Sequence, residues 1–173
     1  YKSSLANATA VCGAGQGLLK QISDVFPIQM GAHIPLPVDY TGRFGTAEDV
    51  ARIREQGADS RMDPDVPRIA IIGVTPEKGY GFYQRLLPYV AKAWPEARFD
   101  IYGGGGYVEG LAGFENATCH GHTPVSEVFA NCDIHLLTVR STGSWGRVIN
   151  EAGLFGVPSV SVNIGAQSEA VGE

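Results

Sequence analysis

From residue 67 onward the sequence alternates between short apolar runs and longer stretches whose apolar positions recur every three or four residues. A strand buried on both faces reads as a continuous apolar run, and a helix lying on a sheet shows one apolar stripe. The alternation therefore predicts parallel strands joined by crossover helices. Strands are expected at residues 68–72, 97–102, 117–120, 133–139 and 159–162, with helices at 80–93, 125–132 and 147–155. Right-handed crossovers would place those helices on both faces of one sheet. The expected fold is α/β, a Rossmann-like doubly wound parallel sheet covering residues 67–173, with a ligand crevice at the carboxyl ends of its strands.

The upstream part shows the pattern once. Residues 8–12 read as a strand, a helix runs through Leu18, Leu19 and Ile22, and residues 29–39 read as an extended linker. Pro35 and Pro37 fix φ there and remove backbone donors, which suits a linker and not a central strand. A charged helix is expected at 47–56 and a polar connection at 58–67. The expected division is thus 1–40 as the end of an N-terminal domain plus linker, 41–66 as a connecting helix and loop, and 67–173 as the main domain. The chain opens on Tyr1 and stops as another helix begins after Gly165, so it reads as an excerpt. The strand at 8–12 is then expected to stay apart from the central sheet and to pack on material outside these residues, because an orphaned parallel strand leaves its donors unpaired.

With 173 residues, 44% of them hydrophobic, the chain can bury one good core but not two full domains. Its 13 basic and 18 acidic residues give a net charge of -5, and the basic ones are scattered singly. That argues against nucleic acid and against anionic membrane surfaces as partners of this part of the chain. Cys12, Cys119 and Cys132 are odd in number, lack metal-ligand spacing and sit in or beside apolar runs. They read as buried free thiols in a reducing cytosol. No apolar stretch has the length of a membrane helix and the first residues lack the apolar core of a signal peptide, so a cytoplasmic location is expected.

Glycine clusters mark where the backbone could approach a ligand. Gly73-Val-Thr-Pro-Glu-Lys-Gly79 leaves the first strand of the domain, but Lys78 precedes Gly79 where a Walker loop has Gly-Lys before Ser or Thr. Lys78 is either a cation for a diphosphate or a solvated turn lysine, and this segment alone does not separate the two. The run Gly103 to Gly106 fails the dinucleotide fingerprint, since Val108 stands where the third glycine belongs, and it reads as a flexible loop tip. The stretch from Ser141 to Val160 is more informative, for it leaves a strand, passes through small residues, and opens a helix near Gly146. Free amides at Gly146, Arg147 and Val148 would face the crevice at the positive end of that helix. Glu151, one turn on, is either a bidentate acceptor for a ribose diol or an exposed helix glutamate.

The same residues resemble the signature of family 4 retaining glycosyltransferases of the GT-B fold. The likeness runs through Trp145-Gly146, Glu151-Ala152, Gly156-Val157-Pro158 and Gly165 with Glu169, and backward through Asp133, Gly121 and Pro76-Glu-Lys-Gly79. It spans about a hundred residues in order, and residues 8–39 resemble the end of that family's first domain. The resemblance implies a catalytic and diphosphate-binding Lys78, further diphosphate contacts from Gly146, Arg147 and Val148, a ribose-binding Glu151, and a base-contacting loop at Gly121 and His122. It implies a nucleoside-diphosphate-sugar donor, an unidentified acceptor, retained anomeric configuration, no cofactor and no metal. It also allows peripheral membrane contact through a preceding N-terminal domain. Two positions depart from the family pattern: Val74 stands where an arginine is usual, and Gly143 replaces the first glutamate of the paired motif. Those departures keep a non-catalytic nucleotide-sugar-binding scaffold as an alternative, beside a sugar-nucleotide epimerase of the same architecture.

Overall fold

A computed structural model describes residues 11–13, 16, 20, 24, 30–33, 44–60, 63, 65–140 and 146–171, and for 11–13, 30–33 and 58–60 the backbone alone. In chain order the described elements are β1 (Val11–Gly13), β2 (Met30–His33), α1 (Ala47–Ser60), β3 (Arg68–Ile72), α2 (Tyr80–Ala93), β4 (Arg98–Tyr102), α3 (Gly106–Glu109), β5 (Ala117–His120), α4 (Val125–Ala130), β6 (Ile134–Leu137), α5 (Arg147–Leu154), β7 (Ser159–Ser161) and α6 (Gln167–Val171). Five strands form one sheet in the order β5-β4-β3-β6-β7, and every neighbouring pair is parallel. The chain winds outward from β3 through β4 to β5, then crosses back to β6 on the other side of β3. That reversal opens a crevice at the carboxyl ends of β3 and β6.

Strand alternation divides the core in two. Ile69, Ile71, Phe99 and Ile101 face one layer, where they pack with Tyr83 and Leu87 of α2 and with Val108 and Leu111. Ala70 and Tyr102 face the other, with Val128 and Phe129 of α4, Ala152 of α5, Phe155, Val157 and Phe44. The α1 helix joins this second layer through Val50 and Ile53. Within α2, Tyr83 is 1% exposed and Leu87 0%, each burial being worth about 1.5–3 kcal/mol. Together they offset the roughly 3 kcal/mol that Pro88 costs in a helix interior, and the Asn116 amide donates to the Leu87 carbonyl beside it at 3.1 Å.

Several expected boundaries move. Residues 30–33, read from the sequence as part of a linker, form β2 and pair in parallel with β1 in a separate two-stranded sheet. The prolines that suggested a linker lie just past that strand, and β1 supplies the backbone partners it needs. Consistent with the expectation for residues 8–12, β1 pairs with β2 and not with β3, although its partner lies within this chain. The helix expected to reach 132 stops at Ala130, because Asn131 turns its amide back to the Glu127 carbonyl at 2.8 Å. The charged helix runs on from 56 to Ser60. Residues 103–106 lead directly into α3, whose Val108 is buried, so this segment is not a free loop tip. Among the described cysteines, Cys132 is buried and Cys119 half-buried, both unbonded to another cysteine. Residues 34–43 and 141–145, which include the rest of the expected linker, Gly143 and Trp145, lie outside the described residues.

Candidate functional site

The crevice between β3 and β6 is a cleft of about 440 Å³ that brings together Lys78, Gly146, Arg147, Val148 and Glu151, five of the residues singled out from sequence. Ile72 at the end of β3 and Leu137 at the end of β6 form its apolar wall, and Thr75, Glu77 and Gln167 add polar groups.

Lys78 sits on a loop held at both ends. Within the loop, the Thr75 hydroxyl accepts from the Lys78 amide at 3.2 Å and donates to Glu77 Oε2 at 2.8 Å. Across the crevice, the Lys78 carbonyl accepts from Thr138 Oγ1 at 3.3 Å, and the Glu77 carbonyl accepts from the Arg140 amide at 2.7 Å. The Glu77 carboxyl is held below its ordinary range by its own backbone N–H and then by the Thr75 hydroxyl. Gly79 caps α2 with φ 87°, a left-handed conformation. A side-chain carbon there would collide with Thr138 Oγ1 and lie 2.8 Å from the Thr138 carbonyl, so only glycine lets the loop close against β6. The Lys78 side chain, exposed, lies across Gly73 at the exit of β3.

Opposite, Gly146, itself in the left-handed region at φ 72°, precedes α5, and among the described residues no side chain caps the helix's first turn. The Ile149 amide is taken by the Gly146 carbonyl at 2.8 Å, so Arg147 and Val148 present the first-turn amides that an α-helix leaves unbonded. Arg147 is exposed at the rim of the cleft and Val148 half-buried. Glu151 is 2% exposed, which removes the exposed-helix reading left open by the sequence. A carboxylate that deep is costly unless polar groups meet it. The exposed cations thus lie at the rim, and the buried carboxylate lies on the floor.

Gln167 on that floor escaped the sequence reading. It is 1% exposed, and its Oε1 accepts from the Ser161 hydroxyl at 2.6 Å. A polar residue opening a short helix a few residues after a strand is an everyday pattern, and only the return of β7 beside α5 shows that it faces the cleft.

Gly121 and His122 do not line this cleft. They sit at the ends of β4 and β5, where the Gly103 amide donates to the Gly121 carbonyl at 3.2 Å and the exposed His122 ring lies over Gly104. The neighbouring His120 is engaged elsewhere: its Nε2 meets Asp100 Oδ1 at 2.7 Å, and its ring stacks on Tyr102 at 4.6 Å. Arg68 holds the other Asp100 oxygen at 2.9 Å. Burial first, then the Asp100 charge, pushes the Tyr102 hydroxyl up to about 12. Among the described residues no group of three or more His, Cys, Asp or Glu side chains could hold a metal ion, and no helix is long and apolar enough to cross a membrane.

A search of the curated proteins returns no match. Among solved structures, the fold matches HepE (Alr3699) of Anabaena, solved in complex with UDP and glucose, at 20% identity and a TM-score of 0.68 over 97% of this chain and 48% of that one. A glycosyltransferase of Rickettsia africae matches at 16% identity and a TM-score of 0.68, over 93% and 46%. The catalytic domain of starch synthase IV of Arabidopsis thaliana, bound to ADP and acarbose, matches at 11% and 0.62, over 95% and 41%. The chain spans about half the length of these structures. The architecture is therefore Rossmann-like α/β of the GT-B glycosyltransferase type. The family described as Glycosyl transferases group 1 matches residues 66–173, the whole five-stranded domain and most of the sequence, and the chain belongs to that family.

Proposed function

We propose that the cleft binds a nucleoside-diphosphate sugar and that the protein transfers the sugar to an acceptor with retention of configuration, without a metal. The observation that carries this reading is the burial of Glu151 on the floor of the same cleft whose rim holds Lys78, Arg147 and the N-terminus of α5. In this reading the diphosphate lies at the rim and the ribose on the floor. When the bond from the anomeric carbon to the diphosphate breaks, its electron pair passes to the phosphate oxygen while the sugar gains oxocarbenium character. Lys78 and the amides of Arg147 and Val148 oppose that growing negative charge, and fixed donors of this kind lower a barrier because they need no rearrangement as charge develops. Similar proteins have been solved with UDP, UDP-glucose or ADP bound, which makes a nucleotide donor the reading to test first. Residues 1–40 and 41–66 fit the end of a preceding domain and its connection, with 67–173 as the donor-binding domain, and Gly121 with His122 remain the loop proposed to meet the base.

One observation favours a second reading, a donor-binding domain without catalytic activity. Val74 is 4% exposed and packs into the core, so the position where the family pattern places an arginine contributes no cation to the cleft, and Arg147 is the residue at the rim that can replace it. Incubating the protein with UDP-glucose and other nucleoside-diphosphate sugars and measuring released diphosphate separates the two. Release that falls in Lys78→Ala supports transfer, whereas tight binding with no release under any donor leaves the binding domain.

A further inference from the structure

We infer that Thr138 is a positioning residue for Lys78, fixing from the end of β6 where that lysine stands at the cleft rim; this rests on the donor-binding reading above. Leu137 and Val139 line the cleft, and Thr138 between them does not. Thr138 is 4% exposed, and a buried hydroxyl is costly unless it is bonded. Its Oγ1 meets the Lys78 carbonyl at 3.3 Å. A carbonyl only accepts, so the hydroxyl donates and the direction of this bond is fixed. Two residues on, the Arg140 amide donates to the Glu77 carbonyl at 2.7 Å. The bond from the Lys78 amide to Thr75 Oγ1 shapes the loop from within, whereas the bonds from Thr138 and Arg140 hold it against the end of β6. Of those two, the Thr138 bond comes from a side chain and is the one a substitution can remove. The Lys78 side chain is exposed, and a flexible cation holds a phosphate more tightly when its backbone is already placed, because less freedom is lost on binding. Thr138 also lies beside the hydroxyl of buried Tyr83, which gives it a second neighbour.

The test is calorimetry with UDP, ADP and GDP on the wild-type protein, then with the tightest of them and its free nucleoside on the variants. Thr138→Val keeps the shape and removes the donor, and Thr138→Ser keeps the donor. Thr138→Val should weaken the diphosphate by about three- to tenfold, the scale of one neutral hydrogen bond, and the nucleoside by less than about twofold. Thr138→Ser should stay within about twofold of wild type for both ligands. Because the effect passes through Lys78, Thr138→Val should add less than about twofold to the loss already caused by Lys78→Ala. Tyr83→Phe should leave the ratio of diphosphate to nucleoside affinity as it is in wild type. If Thr138→Val does not fold, Thr138→Ala carries the same comparisons. Equal losses for both ligands, a loss of full size in the Lys78→Ala background, or the same change of ratio in Tyr83→Phe would each overturn the inference. If no diphosphate binds the wild type, this inference and the donor reading fall together; if Lys78→Ala weakens the diphosphate while Thr138→Val does not, only this inference falls.

Discussion

Glu151, Lys78 and His135 show how burial decides what a single side chain does. Glu151 lies buried on the cleft floor, and if it binds the ribose as proposed, Glu151→Ala should weaken nucleoside diphosphate binding by about 1–3 kcal/mol, the range for a charged hydrogen bond left unmade. Titration calorimetry reads this directly, and unaltered affinity would return Glu151 to a structural role. In the proposed donor-binding reading Lys78 is a point charge on phosphate, so Lys78→Ala should weaken a diphosphate much more than the matching free nucleoside, while equal losses would indicate a distorted loop. His135 has no part in the cleft. It is fully buried, its Nδ1 meets Ser159 Oγ at 2.9 Å, its Nε2 has no hydrogen-bond partner, and burial lowers its pKa from 6.5 to about 4. The unfolded chain takes up a proton as pH falls below about 6.5 and the folded one does not, so stability present above that pH is lost between there and about 4. The loss is on the order of 3 kcal/mol by linkage. Urea midpoints measured across that window should drop in wild type and stay flatter in His135→Gln. Lys78 and Glu151 were legible in the sequence because a motif fixes their order, but their rim and floor positions were not. Exposure depends on how β6 returns beside β3 and β7 beside β6, which no local pattern encodes.

At the scale of elements, the loop from β3 to α2 is a device for bringing Lys78 to the end of β6. Its closure rests on Gly79, where φ is 87° and a side chain would meet Thr138. Gly79→Ala should therefore cost on the order of 1–3 kcal/mol of stability, from the strained backbone and the contact together, and should weaken diphosphate binding in the same variant. Thermal unfolding beside calorimetry checks both, and a stable variant with full affinity would show that the loop can close another way. The strands 68–72 and 117–120 and the helix 80–93 were readable to the residue, since continuous apolar runs and a long apolar stripe are strong local signals. The strand at 30–33 and the short helix at 106–109 were not. The first owes its form to pairing with β1 across a long separation, and the second to Val108 anchoring one turn in the core; both are tertiary effects that override local composition.

Across the whole molecule, a chain with a net charge of -5 is proposed to gather an anionic ligand. The local field allows it: Lys78 and Arg147 at the rim act with the positive end of α5, while the carboxylate of Glu151 lies below them. Because the two cations are exposed, salt should screen them, and diphosphate affinity should fall as ionic strength rises from about 0.01 to 0.15 M, where the Debye length shrinks from about 30 to 8 Å. Affinity indifferent to salt would place the ligand's charge elsewhere. The proposed occupation of the cleft between β3 and β6 by a nucleoside diphosphate is tested by backbone amide NMR shifts recorded on adding UDP, ADP or GDP. The largest shifts should fall on Lys78, Gly79, Arg147, Val148, Glu151 and Gln167. No shift with any of the three, or shifts centred away from these residues, such as around Lys92 and Asn116 at the opposite end of the sheet, would contradict it.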